Sequence, residues 1–293
     1  NPFIETTKPL VVVTGPGPGS GKLATCLSQL YHEFKQGRSA GYAKFETFPV
    51  WNLPLKHPAN IAYEAATVDL GDFNCVDPFH LEATGETSIN YNRDVEVFPV
   101  LRRILDKASG GASGYRSPTE MGVNRIATGI VDDAAVREAA RQEIIRRYFR
   151  HSCEYALGIA ERPAVQRIQA IMDELELKPE DRKVVLPARA AYAAADGQGK
   201  GNQGICVGAA VELPDGTIVT GKNSPFLHAS SAVVLNAAKR LAGIPANIHL
   251  LPPVVTASIA SLKSDVMKRK SVSLSLDEAL VALSVSAAMN PSA

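Results

Sequence analysis

The chain has 293 residues, of which 45% are hydrophobic, and its 31 Lys and Arg side chains nearly balance its 30 Asp and Glu side chains. This composition excludes a mainly disordered chain, and it lacks the overall basic excess that is usual in nucleic-acid-binding proteins. No apolar run approaches the roughly 18 residues that a membrane-spanning helix needs. We expect two or three domains, with neither nucleic acid nor membrane as a partner.

The four cysteines are far apart and form no C-x-x-C pair; they are Cys26, Cys75, Cys153 and Cys206. This spacing predicts reduced thiols rather than a disulfide framework or a zinc site. No basic segment followed by an apolar one opens the chain, so no signal peptide is recognised and a cytoplasmic location is expected.

Residues 1–94 are predicted to form an α/β unit. The apolar run Leu10–Val13 is typical of a buried strand, and the glycine-rich loop Gly15–Lys22 follows it. Apolar residues then recur at helical spacing from Leu23 to Phe34, and Tyr42–Phe48 alternates as a strand would. Strand, loop, helix and strand together predict one βαβ unit with a parallel sheet.

Residues 95–185 are predicted to be helical, and residues 186–293 to form an α+β domain. One helix carries the apolar stripe Val136, Ala140, Ile144 and Tyr148, and Pro163 opens another. In the last region, Ile205–Leu213 and Thr217–Gly221 read as a hairpin around a Pro-Asp-Gly turn. Helices are predicted over His228–Leu241 and Leu276–Met289.

The glycine-rich loop has the composition of a phosphate-binding loop. Such a loop needs inward-pointing backbone amides, the start of a helix and a lysine. Gly17, Gly19, Ser20, Gly21 and Lys22 supply these groups in the right order, and the stretch from Gly17 to Lys22 resembles the P-loop of adenylate kinases. The alternative interpretation is a strand-to-helix turn without a ligand.

The loop departs from the usual P-loop pattern at two positions. Pro16 stands where the pattern has glycine, and Leu23 stands where a Ser or Thr hydroxyl would hold Mg²⁺. We therefore expect a phosphate ligand, with a nucleoside triphosphate as one possibility, and leave the need for Mg²⁺ open. Lys44 and Arg93 are candidates for further contacts with the anion, since both occur among loop-like residues.

The segment from Val207 to Leu241 resembles the core of cytidine deaminases. In that family a His-Ala-Glu or Cys-Ala-Glu stretch supplies a zinc ligand and a proton-transferring glutamate, and a later Pro-Cys-x-x-Cys completes the site. Here only His228 remains, because Ser230 replaces the glutamate and no downstream cysteine pair follows. The resemblance implies a deaminase-like fold without zinc; a zinc-free chemistry in this domain remains an alternative, as does a helix-start role for His228.

Four longer strings, at residues 8–22, 40–58, 77–81 and 90–96, resemble a bacterial protein family of unknown function. The resemblance covers nearly the whole chain and implies that a further segment of the protein lies upstream. It implies no activity. The leading hypothesis is binding of a nucleotide or phosphorylated metabolite, serving an unidentified transferase or ligase. A non-catalytic sensor or scaffold is the alternative, and a homo-oligomer is possible.

Overall fold

The computed structural model describes residues 3–17, 19–122 and 129–288. The chain separates into two compact units, Asn1–Leu177 and Lys178–Ala293. The predicted boundary after residue 94 falls inside the first unit, and the one after residue 185 falls shortly beyond its end. Both units combine several helices with one small antiparallel sheet, which confirms a mixed helix-and-sheet fold at this level.

The first unit is built mainly from helices around a short hairpin. Its helices are α1 (Lys22–Lys35), α2 (Pro58–Ala66), α3 (Pro78–Thr84), α4 (Asn92–Ala108), α5 (Asp133–Ala156) and α6 (Arg162–Glu174). Strands β1 (Asn74–Val76) and β2 (Ile89–Tyr91) pair antiparallel, with Asn74 opposite Tyr91 and Val76 opposite Ile89. Two 3₁₀ turns, Val68–Leu70 and Thr119–Met121, complete the described elements.

Helices α2, α5 and α6 share one core, and α5 and α6 confirm the helical character predicted for residues 95–185. The α5 stripe begins after Asp132, whose side chain accepts a hydrogen bond from the amide of Ala135 and so caps the helix. Ile144 on α5 and Met172 on α6 are fully buried in this core. A second core joins α1 to α4, where Leu27 and Leu30 pack around buried Phe98.

The two strands predicted around α1 are absent from the described residues, so the predicted βαβ unit is wrong although its helix is confirmed. Leu10–Val13 has no regular secondary structure and pairs with no described strand, and Leu10 is 78% exposed. Tyr42–Phe48 is also irregular; the amide of Lys44 donates a single backbone bond to the carbonyl of Met121 at 3.1 Å. A strand needs a neighbour to satisfy its backbone groups, and local alternation does not supply one.

The second unit contains the predicted hairpin and helices. Its elements are α7 (Val185–Asp196), β3 (Gly208–Glu212), β4 (Ile218–Lys222), α8 (Ala229–Leu241), α9 (Pro253–Ser261), a π-helical turn (Leu262–Val266) and α10 (Leu276–Ala287). The antiparallel pairing of β3 with β4 confirms the hairpin, and α10 confirms the last predicted helix up to the end of the described residues; Met289 lies outside them.

Helices α7 and α8 pack directly on the hairpin, and two glycines make this approach possible. A Cβ on Gly208 would lie 2.2 Å from the carbonyl oxygen of Ala188, and one on Gly221 would lie 2.3 Å from the backbone nitrogen of Val233. The unit therefore consists of a two-stranded sheet with helices against it. The finer deaminase-like interpretation stays a prediction. Within the described parts of both units, every helix is too short or too polar to cross a bilayer.

Candidate functional site

The glycine loop folds tightly onto itself at the start of α1. Gly19 and Gly21 adopt left-handed backbone conformations, with φ of 73° and 85°, which glycine tolerates without steric strain. The side chain of Ser20 donates a hydrogen bond to the carbonyl of Gly17 at 2.8 Å. Lys22 Nζ reaches back across the loop and donates to the same carbonyl at 2.6 Å and to Ser20 Oγ at 3.1 Å. The structure thus brings together the loop residues that the sequence predicted.

The glycines of this loop differ in the space that surrounds them. A Cβ on Gly15 would lie 2.4 Å from Ser20 Oγ and 3.2 Å from Lys22 Cγ, so the entry to the loop is closely packed. A Cβ on Gly17, Gly19 or Gly21 would meet no described atom within 4 Å. The outer side of the loop is therefore open, and a ligand can approach its backbone there.

The N-terminus of α1 is electrostatically favourable for an anion. Gly21 is its N-cap residue and provides no side-chain hydrogen bond, and the first turn contains no acidic residue. The first intrahelical bond runs from the amide of Thr25 to the carbonyl of Gly21 at 2.9 Å, so the preceding amides of the helix have no partner within it. The positive end of the helix dipole and the ammonium group of Lys22 act at the same place.

Thr25 does not replace the hydroxyl that the P-loop pattern places after the lysine. Its Oγ1 donates a hydrogen bond to the carbonyl of Gly21 at 3.1 Å, within the first turn of α1. Leu23, at the expected hydroxyl position, is 40% exposed and has no group that coordinates a metal. The loop can therefore donate hydrogen bonds and positive charge, but it offers no side-chain ligand for Mg²⁺ at either position.

Lys44 lies between two carboxylates instead of being free to bind an anion. Its Nζ is 2.6 Å from Asp94 Oδ1 and 2.8 Å from Glu46 Oε1. Burial alone would lower the pKa of Lys44, but the charges of Asp94 and Glu46 outweigh it and raise this pKa above its ordinary value. Burial raises the pKa of Glu46, against the opposing effect of Lys44. One cation beside two carboxylates does not favour a phosphate ligand.

Arg93 is likewise paired with a carboxylate. Its Nη2 lies 2.5 Å from Asp72 Oδ1, although 54% of the arginine side chain is exposed. No described contact joins Lys44 or Arg93 to the glycine loop. Segment 42–46 is held in the first unit by Tyr115, whose hydroxyl accepts a hydrogen bond from the amide of Tyr42 and donates one to its carbonyl, both at 2.7 Å. The role of Lys44 and Arg93 as anion contacts stays a prediction.

Asp77 orders the backbone around it through hydrogen bonds. It is fully buried and caps α3 by accepting hydrogen bonds from the amides of Phe79 and His80 at 3.0 and 3.1 Å. Its second oxygen accepts from Thr119 Oγ1 at 2.8 Å and from Asn90 Nδ2 at 3.1 Å. Sequence reasoning did not identify Thr119 as a partner of Asp77, because Thr119 lies 42 residues further along the chain.

His57 also has a capping role. Its Nδ1 accepts a hydrogen bond from the amide of Ala59 at 3.1 Å at the start of α2, and its Nε2 lies 2.8 Å from Asp133 Oδ1.

Across the described parts of the chain, no three His, Cys, Asp or Glu side chains lie close enough together to hold a metal ion. The expectation of no zinc rests on the sequence and stays a prediction.

In the second unit, His228 lies at the edge of a groove. It is the N-cap residue of α8, and its side chain makes no capping hydrogen bond. The groove has a volume of about 540 Å³ and is lined by His228, Ser230, Asn202 and Ser271 together with apolar residues such as Val207. Uncharged polar groups and one imidazole surround this space, so it can accept a small ligand but contains no carboxylate to act as a general base.

Both units match models of one family. Residues 1–176 match "Domain of unknown function DUF1846, N-terminal", and residues 180–293 match the C-terminal domain of the same description. A UPF0371 protein of Clostridium botulinum (strain Alaska E43 / Type E3) is 58% identical over 293 residues, and one of strain Langeland is 57% identical. Each match covers 100% of this chain and 58% of the relative, so the chain spans little more than half of these relatives' length.

Proposed function

The chain belongs to the DUF1846 family, whose description assigns no function, and we propose from its own geometry that the loop from Gly17 to Lys22 binds a phosphate group. The ligand is a nucleotide or a phosphorylated metabolite. The observation that carries this proposal is the coincidence of three features: an open glycine backbone, an uncapped helix start and Lys22 Nζ lying within the loop.

The bonds that Lys22 makes favour this role. A carbonyl oxygen and a hydroxyl are weaker partners for an ammonium group than a phosphate oxygen, because the phosphate carries the opposite full charge. On binding, Nζ exchanges the Gly17 carbonyl for the phosphate, and the amides at the start of α1 donate to the same group. A bare turn would need glycine at positions 19 and 21, where φ is positive, but it would need neither Lys22 nor a glycine at position 17.

The reaction that the bound phosphate serves would be a group transfer or a ligation. The polar cluster of Lys44, Glu46 and Asp94 is a source of acid and base groups in the same unit. In the alternative function, the protein is a sensor, and the same loop binds the ligand without converting it. Turnover of a nucleotide by the full-length protein would separate the enzyme from the sensor.

The groove beside His228 supports a second candidate, which is zinc-free chemistry in the C-terminal unit. Its volume of about 540 Å³ lies within the range of small-molecule sites. The imidazole of His228 and the hydroxyl of Ser230 both line the groove and provide groups for proton transfer without a metal. Binding of a small molecule that protects His228 from chemical modification would support this candidate.

The phosphate proposal is tested by calorimetric titration of the full-length protein with ATP, GTP, pyrophosphate and inorganic phosphate. Replacing Lys22 by Ala removes one charge-assisted contact, which should cost about 1.5–3 kcal/mol, or roughly ten- to a hundredfold in affinity. Lys8→Ala is the matched control, since Lys8 is exposed and removing it changes the net charge equally. Equal affinities of the wild type and Lys22→Ala would remove the loop as the binding site.

A further inference from the structure

The segment of residues 10–13 has the character of a strand without a partner. Leu10, Val11 and Val12 are 78%, 48% and 73% exposed, and they are consecutive. Their backbone makes no hydrogen bond to another described residue. Scattered apolar residues are normal on protein surfaces, but a contiguous apolar run with free backbone groups is a template for strand pairing.

A second segment of the first unit, the irregular stretch of residues 42–48, also exposes an aromatic side chain. Phe45 is 79% exposed and lies between Lys44 and Glu46, which are tied to each other by an ion pair. Helix α4 shows a related pattern, because Val97, Val100 and Ile104 share one helical face and are 44%, 63% and 42% exposed. The first unit thus leaves apolar surface of strand-like and helical segments uncovered.

The length of the relatives indicates what covers this surface. The chain aligns with them over its full 293 residues yet spans only 58% of their length, so each relative carries a long additional segment. We propose that a strand from the corresponding segment of this protein, outside residues 1–293, pairs with residues 10–13, and that the same segment covers Phe45. This intramolecular interface is independent of whether the loop binds phosphate.

Hydrogen–deuterium exchange on the full-length protein tests the pairing without any substitution. The amides of Val11, Val12 and Val13 should exchange at least about tenfold more slowly than those of an unstructured segment, since ladder hydrogen bonds protect amides from exchange. The protection should not depend on protein concentration. Exchange at the rate of an unstructured segment would overturn the proposal. Protection seen only at high concentration would also overturn it, because a second copy of the chain would then be the partner.

Two matched substitutions test the apolar contact. Val12→Lys places a charge in the proposed interface and should lower the melting temperature of the full-length protein by on the order of 4 °C. Val131→Lys makes the same change at a valine that is 98% exposed and should leave the melting temperature within about 1 °C. Equal melting temperatures of the two variants would contradict the proposal. If Val12→Lys fails to fold, the exchange of the unsubstituted protein decides.

Discussion

The substitution Gly17→Ala separates ligand binding from folding at the glycine loop. A Cβ on Gly17 would meet no described atom within 4 Å, and Gly17 is not among the glycines with positive φ. Alanine therefore fits the ligand-free loop without a clash or backbone strain. We expect the free energy of unfolding to change by less than about 0.5 kcal/mol, as at an ordinary surface site.

Binding should respond differently, because the new methyl group points into the space through which we propose the phosphate approaches. The carbonyl of Gly17, which accepts the hydrogen bond from Lys22 at 2.6 Å, is unchanged by the substitution. The methyl group prevents the anion from approaching the loop backbone closely. The affinity should fall at least about tenfold, which corresponds to about 1.4 kcal/mol.

Urea unfolding and calorimetric titration of the same preparations measure the two quantities. Gly21→Ala is the matched comparison, since its Cβ also enters open space but its φ is 85°. That backbone conformation costs alanine about 1–2 kcal/mol, so Gly21→Ala should lose stability as well as affinity. An unchanged affinity in Gly17→Ala, with affinity lost in Lys22→Ala, would refute the idea that the loop backbone surrounds the phosphate.

Three further predictions concern the metal, an ion pair and a thiol. Because Leu23 replaces the Mg²⁺-binding hydroxyl, chelating Mg²⁺ should weaken nucleotide binding by less than about tenfold in calorimetry. Hydrogen bonds from Arg146, and then from Arg147, lower the pKa of Glu143 from 4.5 to about 2. The stability that Glu143 provides is therefore present above pH 4.5 and lost as the pH falls towards 2. Glu143→Gln should lower the free energy of unfolding in urea by about 1 kcal/mol at pH 7. The difference in unfolding free energy between the wild type and this variant should become smaller as the pH falls from 4.5 to 2. Burial, and after it the charge of Asp77, raises the pKa of Cys75 to about 11. Iodoacetamide at pH 8 should therefore label the exposed Cys153 before Cys75, as followed by mass spectrometry. Labelling of Cys75 before Cys153 would contradict this prediction.

Helices α1, α5, α6, α8 and α10 could be predicted from the sequence because the interactions that define them are local. The apolar stripe of α5 and its cap Asp132 lie within a few residues of each other, and the capping box of Ser275 and Glu278 begins α10 in the same way. The loop residues from Gly17 to Lys22 also come together through contacts of at most five residues along the chain. Periodicity and spacing record such contacts directly.

The strands and the charge pairs required contacts that the sequence does not record. Leu10–Val13 and Tyr42–Phe48 have strand-like composition, but within the described chain they have no neighbouring strand, so composition alone could not predict whether they pair. The hairpin of β1 and β2 was missed, because strands of three residues leave too short a pattern to recognise.

The charged side chains show the same distinction between local and distant contacts. Lys44 and Arg93 were predicted to be free for an anion, yet their partners Asp94 and Asp72 lie 50 and 21 residues away along the chain. By itself the sequence determined helices α1, α5, α6, α8 and α10 and the glycine loop. The tertiary structure alone decided which cations are neutralised and which apolar segments stay exposed, because both depend on residues that folding brings together from distant positions.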